Sequence, residues 1–201
     1  MFIVFEWVDG CGKDTHILKT IDYLWERNKY LQIWKTREPT WNTEAGREIG
    51  ERLKWKWFSN GQEALELYIK DREQQSEIRR EILKHSVIIS SRFDYSTYAF
   101  QWASGLSFEE IYQAHDYSKI LIPDLTFIID VNMENIEKRL AHRWWKREFF
   151  ERIDFLEKVR VQYLDSAEKL AKERNIHVID GNGSIDEVFW HIKNILDKTE
   201  F

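Results

Sequence analysis

The sequence predicts an α/β fold built on a parallel sheet. Short apolar runs rich in β-branched residues alternate with long stretches of helical periodicity. Several of those runs are apolar throughout, as strands covered on both faces are. A glycine-bearing turn, "DGCGK" at residues 9–13, directly follows the first run and opens the first helical stretch.

Taken in order, "FIVFE" (2–6) is the first strand and residues 14–28 the first helix. "LQIWKT" (31–36) follows as a strand, then helices at 44–57 and 62–84. "SVIISS" (86–91) is the third strand. Residues 94–119 read as a helix broken near Gly105, with a fresh start after Ser107, whose partner Glu110 completes a capping-box pattern. "LTFIIDV" (125–131), helices at 133–145 and 153–174, "IHVID" (176–180) and a helix at 185–198 complete the chain. The segment "HRWWKREFFER" (142–152) is basic and aromatic between two helices; it reads either as a flap or as a solvated helix junction. With no internal repeat, low-complexity tract or linker, 201 residues suit one domain, residues 1–201.

Composition narrows the function classes. Thirty Lys and Arg against 35 Asp and Glu leave a formal charge of −5, which argues against a broad nucleic-acid footprint and leaves room for a small anion held by a local cluster. "MFIVFEWVDG" lacks a basic start and its apolar run stops at Glu6, so it reads as a buried strand rather than a signal peptide. No stretch reaches the roughly 18 uncharged apolar residues a membrane span needs. A single cysteine, Cys11, has no internal partner for a disulfide, in keeping with a reducing, cytoplasmic setting. The six histidines match no metal-ligand spacing, and the ten tryptophans read as packing residues.

The turn after the first strand carries the chemistry. Strand, glycine turn, then helix is the context of a phosphate loop: Gly10 and Gly12 let backbone N–H groups close on phosphate oxygens, the helix N-terminus adds its dipole, and Lys13 adds a point charge. In the general pattern G-x-x-x-x-G-K-[ST], however, Trp7 stands where the first glycine belongs and Asp14 where the magnesium-binding hydroxyl belongs.

The chain resembles the thymidylate kinase family over essentially its whole length. Five ordered stretches carry the resemblance: "FIVFEWVDGCGKDTH" (2–16) against I-x-x-E-G-[ILV]-[DE]-G-x-G-K-[ST]-T-Q; Thr36, Arg37, Glu38 and Pro39 against T-R-E-P; Tyr68 and Arg72, four apart on a helix; "SRFDYSTYAFQ" (91–101) against D-R-[YFH]-x-x-S-x-x-A-[YF]-Q; and "PDLTFIIDV" (123–131) with "FERIDFLEKVRVQYLDSAE" (150–168). The resemblance implies a P-loop kinase three-layer sandwich: five parallel strands, helices on both faces and a small lid at about 142–152. It implies transfer of the γ-phosphoryl of ATP to dTMP with Mg²⁺, and homodimers; nucleic-acid polymers and membranes are not expected as partners.

Residue by residue, the resemblance implies that Gly10, Cys11, Gly12, Lys13, Asp14 and Thr15 hold ATP, with Arg143 near the adenine. Asp9 would accept from the deoxyribose 3′-OH and help hold Arg92. Arg37 and Arg92 would grip the acceptor phosphate in a guanidinium fork. Tyr68 would stack on the base and Arg72 reach a pyrimidine carbonyl. Thr97 and Gln101 would make polar base contacts, and Phe100 would crowd a 2′-OH. Lys13, Arg92 and the lid's Arg147 are the candidate catalytic cations. Each aromatic or arginine among these has a plainer alternative as a core ring or a surface ion-pair partner.

Four positions depart from the family. Trp7 replaces a glycine, Asp14 the magnesium hydroxyl, Ser91 the strand-end aspartate, and Gly50 an arginine in the helix after T-R-E-P. Asp14 and Ser91 look like one pair exchanged across a single ion, which conserves the charge and the oxygen ligands and makes both candidate Mg²⁺ contacts. Thr15 is an alternative hydroxyl, about 100° further round the helix. Trp7 keeps the loop working if its φ is ordinary. Three functional readings follow: a dTMP kinase, a kinase for another or modified pyrimidine deoxynucleotide, or a catalytically silent nucleotide-binding relative.

Overall fold

All five expected strands form: β1 (Phe2–Glu6), β2 (Ile33–Arg37), β3 (Val87–Ser91), β4 (Leu125–Asp130) and β5 (Ile176–Asp180). The computed structural model describes residues 1–54, 58, 60–141 and 153–199. In it the strands make one sheet, in the order β2-β3-β1-β4-β5, with every neighbouring pair parallel. Every residue of β1 and β3 is buried, on both faces of the pleat, because helices lie above and below the central strands. The edge strands β2 and β5 are partly exposed, and that is where their polar residues fall. Phe5 on β1 and Phe127 on β4 pack ring to ring at 5.0 Å in the core. Each such fully buried side chain contributes about 1.5–3 kcal/mol.

The helices are α1 (Lys13–Arg27), α2 (Glu44–Lys54), α3 (Gly61–Ile82), α4 (Asp94–Ala103), α5 (Phe108–Ala114), α6 (Met133–Ala141), α7 (Ile153–Leu170) and α8 (Ile185–Leu196). Asn60 caps α3 by accepting from the Glu63 N–H at 2.9 Å, and α8 starts at a capping box made by Ser184 and Glu187.

Several boundaries move from their expected places for local reasons. β2 begins at Ile33 instead of 31, because Asn28 holds the N–H groups of Tyr30 and Leu31 in a turn. The stretch 94–119 is broken near Gly105 as expected, into two helices, and only its far end moves. The first ends at Ala103 before Gly105, whose φ is 110°, and the second starts at the expected box of Ser107 and Glu110 and ends at Ala114. Residues 115–119 are not helical: the Asp116 side chain accepts from the Ser118 N–H at 3.1 Å and closes a turn. α7 stops at Leu170 instead of 174, where its carbonyl takes the N–H groups of both Glu173 and Arg174. The expected extensions of α2 to 57 and α6 to 145 run into residues outside those described.

Candidate active site at the carboxyl ends of the strands

The carboxyl ends of β1 and β3, side by side in the sheet, place the loop and Arg92 next to one another. This is the crevice where open α/β sheets bind ligands. Gly10 and Gly12 adopt φ of 88° and 94°, as the phosphate-loop reading requires, and Gly12 is the left-handed cap from which α1 springs. Lys13 is buried at the first position of that helix, its Nζ donating to Asp9 Oδ1 at 3.0 Å. Arg92 Nη2 donates to the same oxygen at 3.0 Å. The Arg92 guanidinium, and then Lys13, hold the Asp9 carboxyl well below the usual carboxylate range. The expected hold of Asp9 on Arg92 is therefore present. Arg92 itself leaves β3 with φ 71°, an unusual value for a residue with a side chain, fastened by its N–H to the Phe5 carbonyl at 2.9 Å.

A cavity of about 860 Å³, its open mouth included, adjoins this cluster. All eight residues expected to hold the acceptor line it: Asp9, Arg37, Tyr68, Arg72, Arg92, Thr97, Phe100 and Gln101. Arg37 is exposed, and among the described residues no hydrogen bond or ion pair holds its guanidinium. Arg92 lies over the Phe100 ring at 5.2 Å. Arg72 is fully buried. Its Nε donates to Glu38 Oε2 at 3.0 Å, and its Nη2 donates to Thr97 Oγ1 at 2.9 Å and to the Phe93 carbonyl at 3.1 Å. Gln101 lines the cavity, and its buried carboxamide oxygen has no hydrogen-bond partner among the described residues.

Six further residues complete the lining, and the sequence reading gave none of them a role. Glu38 is buried and bridges Arg72 to Arg79, whose Nη1 it meets at 2.6 Å. Ser96 accepts from Arg92 Nη1 at 3.3 Å and donates to Glu6 Oε2 at 2.6 Å. Both sit inside matched motifs, as does Leu156, one turn into α7, so a signal existed for all three.

The departures from the family have structural accounts of unequal strength. Trp7 has φ 146°, so the condition set for it, an ordinary φ, is not met. The indole is fully buried, 5.1 Å from the Tyr163 ring on α7, and does not line the cavity. Gly50 faces the Trp41 ring so closely that a Cβ there would stand 2.2 Å from it; the tryptophan fills the room an arginine would need. Asp14 is exposed at the second position of α1, and the buried Ser91 ends β3. Cys11 is buried, which pushes its thiol up, and its carbonyl accepts from Arg139 Nη1 at 3.1 Å. Thr15 is exposed. Arg143, Arg147 and the rest of the expected lid lie outside the described residues.

Comparison with known proteins decides the family. Residues 5–192 match the family model for thymidylate kinase. The chain belongs to the thymidylate kinase family. A thymidylate kinase of Thermosipho melanesiensis is 33% identical over 204 residues, covering 98% of each chain. A probable thymidylate kinase of Methanococcus maripaludis is 34% identical over 203 residues, covering 98% of this chain and 96% of its own. The crystal structure of the thymidylate kinase from Ehrlichia chaffeensis superposes with a TM-score of 0.73 at 27% identity, covering 98% of both chains. Thymidylate kinases are phosphotransferases, and the five-stranded parallel sheet found here is their fold.

Proposed function

We propose that this member of the family seats dTMP in the cavity and ATP on the loop of residues 10–15, moving the γ-phosphoryl of ATP to dTMP to give dTDP. The observation that carries the reading is the polar pair deep in the cavity: Arg72, a donor, and the unpartnered oxygen of Gln101, an acceptor. A pyrimidine presenting a carbonyl beside an N–H complements such a pair, whereas cytosine presents an amino group beside a bare nitrogen.

Phosphoryl transfer asks the protein chiefly to position two anions and neutralise charge between them. Arg37 and Arg92 face the acceptor phosphate, with Lys13 on the outer phosphates of the donor. Asp9 keeps the two inner cations together through Oδ1. Its Oδ2, which makes no hydrogen bond among the described residues, is the atom we assign to the 3′-OH. Phe100 walls the sugar and Tyr68, half-buried on α3, covers the base. The roles implied for Arg143 and Arg147 stay with the family resemblance.

Magnesium suits the oxygen donors available. A carboxylate at the start of a phosphate-binding helix repels phosphate unless a cation lies between them, and Asp14 is such a carboxylate. Asp14 and Ser91 would hold the ion, which when bound supplies charge neutralisation at the transferring phosphoryl group. Homodimer assembly and a cytoplasmic setting belong to the same reading. Among the described residues no helix is long and apolar enough to cross a membrane.

The test is ADP release under saturating Mg·ATP with dTMP, dUMP, dCMP and thymidine ribonucleotide as acceptors. We expect dTMP to have the highest kcat/KM. Preference for another deoxynucleotide selects the modified-acceptor reading, and nucleotide binding without turnover selects the silent one. Trp7 is buried in the core and does not line the cavity, so its indole does not obstruct the acceptor seat of this reading.

A further inference from the structure

Arg72 offers the cavity little of its donor capacity. A guanidinium has five N–H groups in one plane. Nε–H goes to Glu38, both Nη2 hydrogens go to Phe93 and Thr97, and Nη1 donates to Nε2 of His115 at 3.0 Å. One Nη1 hydrogen remains, and because the group is planar its direction is set by where its twin is held.

His115 is built to hold that twin. It follows the last turn of α5, is buried, and lies nearly parallel to two neighbouring rings: Tyr98 at 5.3 Å and 14°, and Tyr117 at 5.5 Å and 10°. Its Nδ1 is 2.7 Å from the Ile111 carbonyl. A carbonyl there requires a hydrogen on Nδ1, and the Arg72 N–H requires a lone pair on Nε2, so only one neutral tautomer satisfies both neighbours. Burial, and then Arg72, push the imidazole down to about 4, so it is uncharged near neutrality. These rings are anchored in turn: the Tyr98 and Tyr117 hydroxyls meet at 3.0 Å, Tyr117 donates to Asp94 Oδ2 at 3.1 Å, and the Arg174 guanidinium lies 4.4 Å over the Tyr117 ring. A ring kept only for packing would need no lone pair at Nε2.

We infer that His115 is a positioning residue for base selection, fixing the one spare Arg72 N–H so that it meets a carbonyl acceptor beside the Gln101 oxygen and rejects an amino group. The inference rests on the reading that Arg72 contacts the acceptor base.

The test compares His115→Phe, which keeps the stack and removes the lone pair, with His115→Gln, whose carboxamide oxygen can accept again. For His115→Phe we expect KM for dTMP to rise about tenfold with kcat nearly unchanged, and the dTMP to dCMP ratio of kcat/KM to fall about tenfold, while His115→Gln recovers most of both. A lower Tm for His115→Phe with KM and the ratio unchanged overturns the inference. Arg72→Lys separates the two readings: an unchanged ratio there overturns base contact by Arg72 and the inference with it, whereas a lowered ratio there with a normal His115→Phe overturns the inference alone. Should His115→Phe fail to fold, long-range ¹H–¹⁵N spectra of the wild-type histidine rings decide. Neutral His115 with hydrogen on Nδ1 at pH 7, its Nε2 signal moving on dTMP addition, supports the inference; hydrogen on Nε2, or no response to dTMP, overturns it.

Discussion

Lys13 and Arg92, from the first helix and the third strand's end, donate to one and the same oxygen, Oδ1 of Asp9, each at 3.0 Å. A single carboxylate therefore holds together the cation assigned to the ATP phosphates and the cation assigned to the acceptor phosphate. Asp9→Asn halves the acceptor capacity at that point and leaves the two cations facing each other. Charge-assisted hydrogen bonds contribute about 1.5–3 kcal/mol each, so kcat/KM for dTMP should fall by roughly ten- to a hundredfold. Steady-state kinetics check this. Thermal stability should fall too, though by less than the full value of the two bonds, because the half-exposed Asp9 side chain is screened by solvent.

Glu6 makes stability depend on pH in an unusual direction. It is fully buried at the end of β1, and burial pushes its carboxyl up to about 7, against the pull of the Ser96 hydroxyl at 2.6 Å. Between an unfolded value near 4.5 and about 7 the folded protein binds a proton that the unfolded chain does not. Stability contributed by this group is therefore full below pH 4.5 and is lost as pH rises through 7, by about 3 kcal/mol in all. Glu6→Gln mimics the protonated form, since the Ser96 and Tyr163 hydroxyls can turn to accept. Urea denaturation from pH 5 to 8 should show the wild-type protein losing stability relative to Glu6→Gln as pH rises; parallel curves would refute the assignment.

Trp7 sets backbone strain against burial. Its φ of 146° costs about 1–3 kcal/mol in a residue with a side chain, while losing a buried indole costs about 3–5 kcal/mol. Burial should win, so Trp7→Gly should be less stable by roughly 1–3 kcal/mol, and kcat should change less than stability because the indole does not line the cavity. Denaturant midpoints and turnover at a temperature where both proteins are folded test the two parts separately.

The exchange of Asp14 and Ser91 predicts a compensating pair. Asp14→Ser and Ser91→Asp should each lower kcat by about tenfold or more, and the double exchange should recover much of the loss. Mn²⁺ affinity with ATP present, read by electron paramagnetic resonance, should follow the same pattern. Losses that simply add would sink the exchange.

Much of this protein was legible in one dimension because its signals are local. Unbroken apolar runs marked the buried strands, Ser107 and Glu110 marked a helix start, and Gly10 and Gly12 marked the positive-φ turn between β1 and α1. The family resemblance named eight residues for the acceptor, and folding brought all eight to the lining of one cavity. The boundaries that moved, at Ile33, Ala114 and Leu170, were shifted by local side-chain and carbonyl hydrogen bonds, which periodicity does not report.

What only the tertiary structure decided are relations between residues far apart in the chain. That Asp9 joins Lys13 to Arg92, that Glu38 and His115 occupy Arg72 from two sides, and that Trp41 fills the space over Gly50 all depend on which elements the sheet order places together. The sequence determined the residue types, the strand-and-helix alternation and the family, since those follow from local propensity and spacing. Burial, φ at Trp7 and the direction of the last Arg72 N–H depend on packing against partners that spacing along the chain does not name.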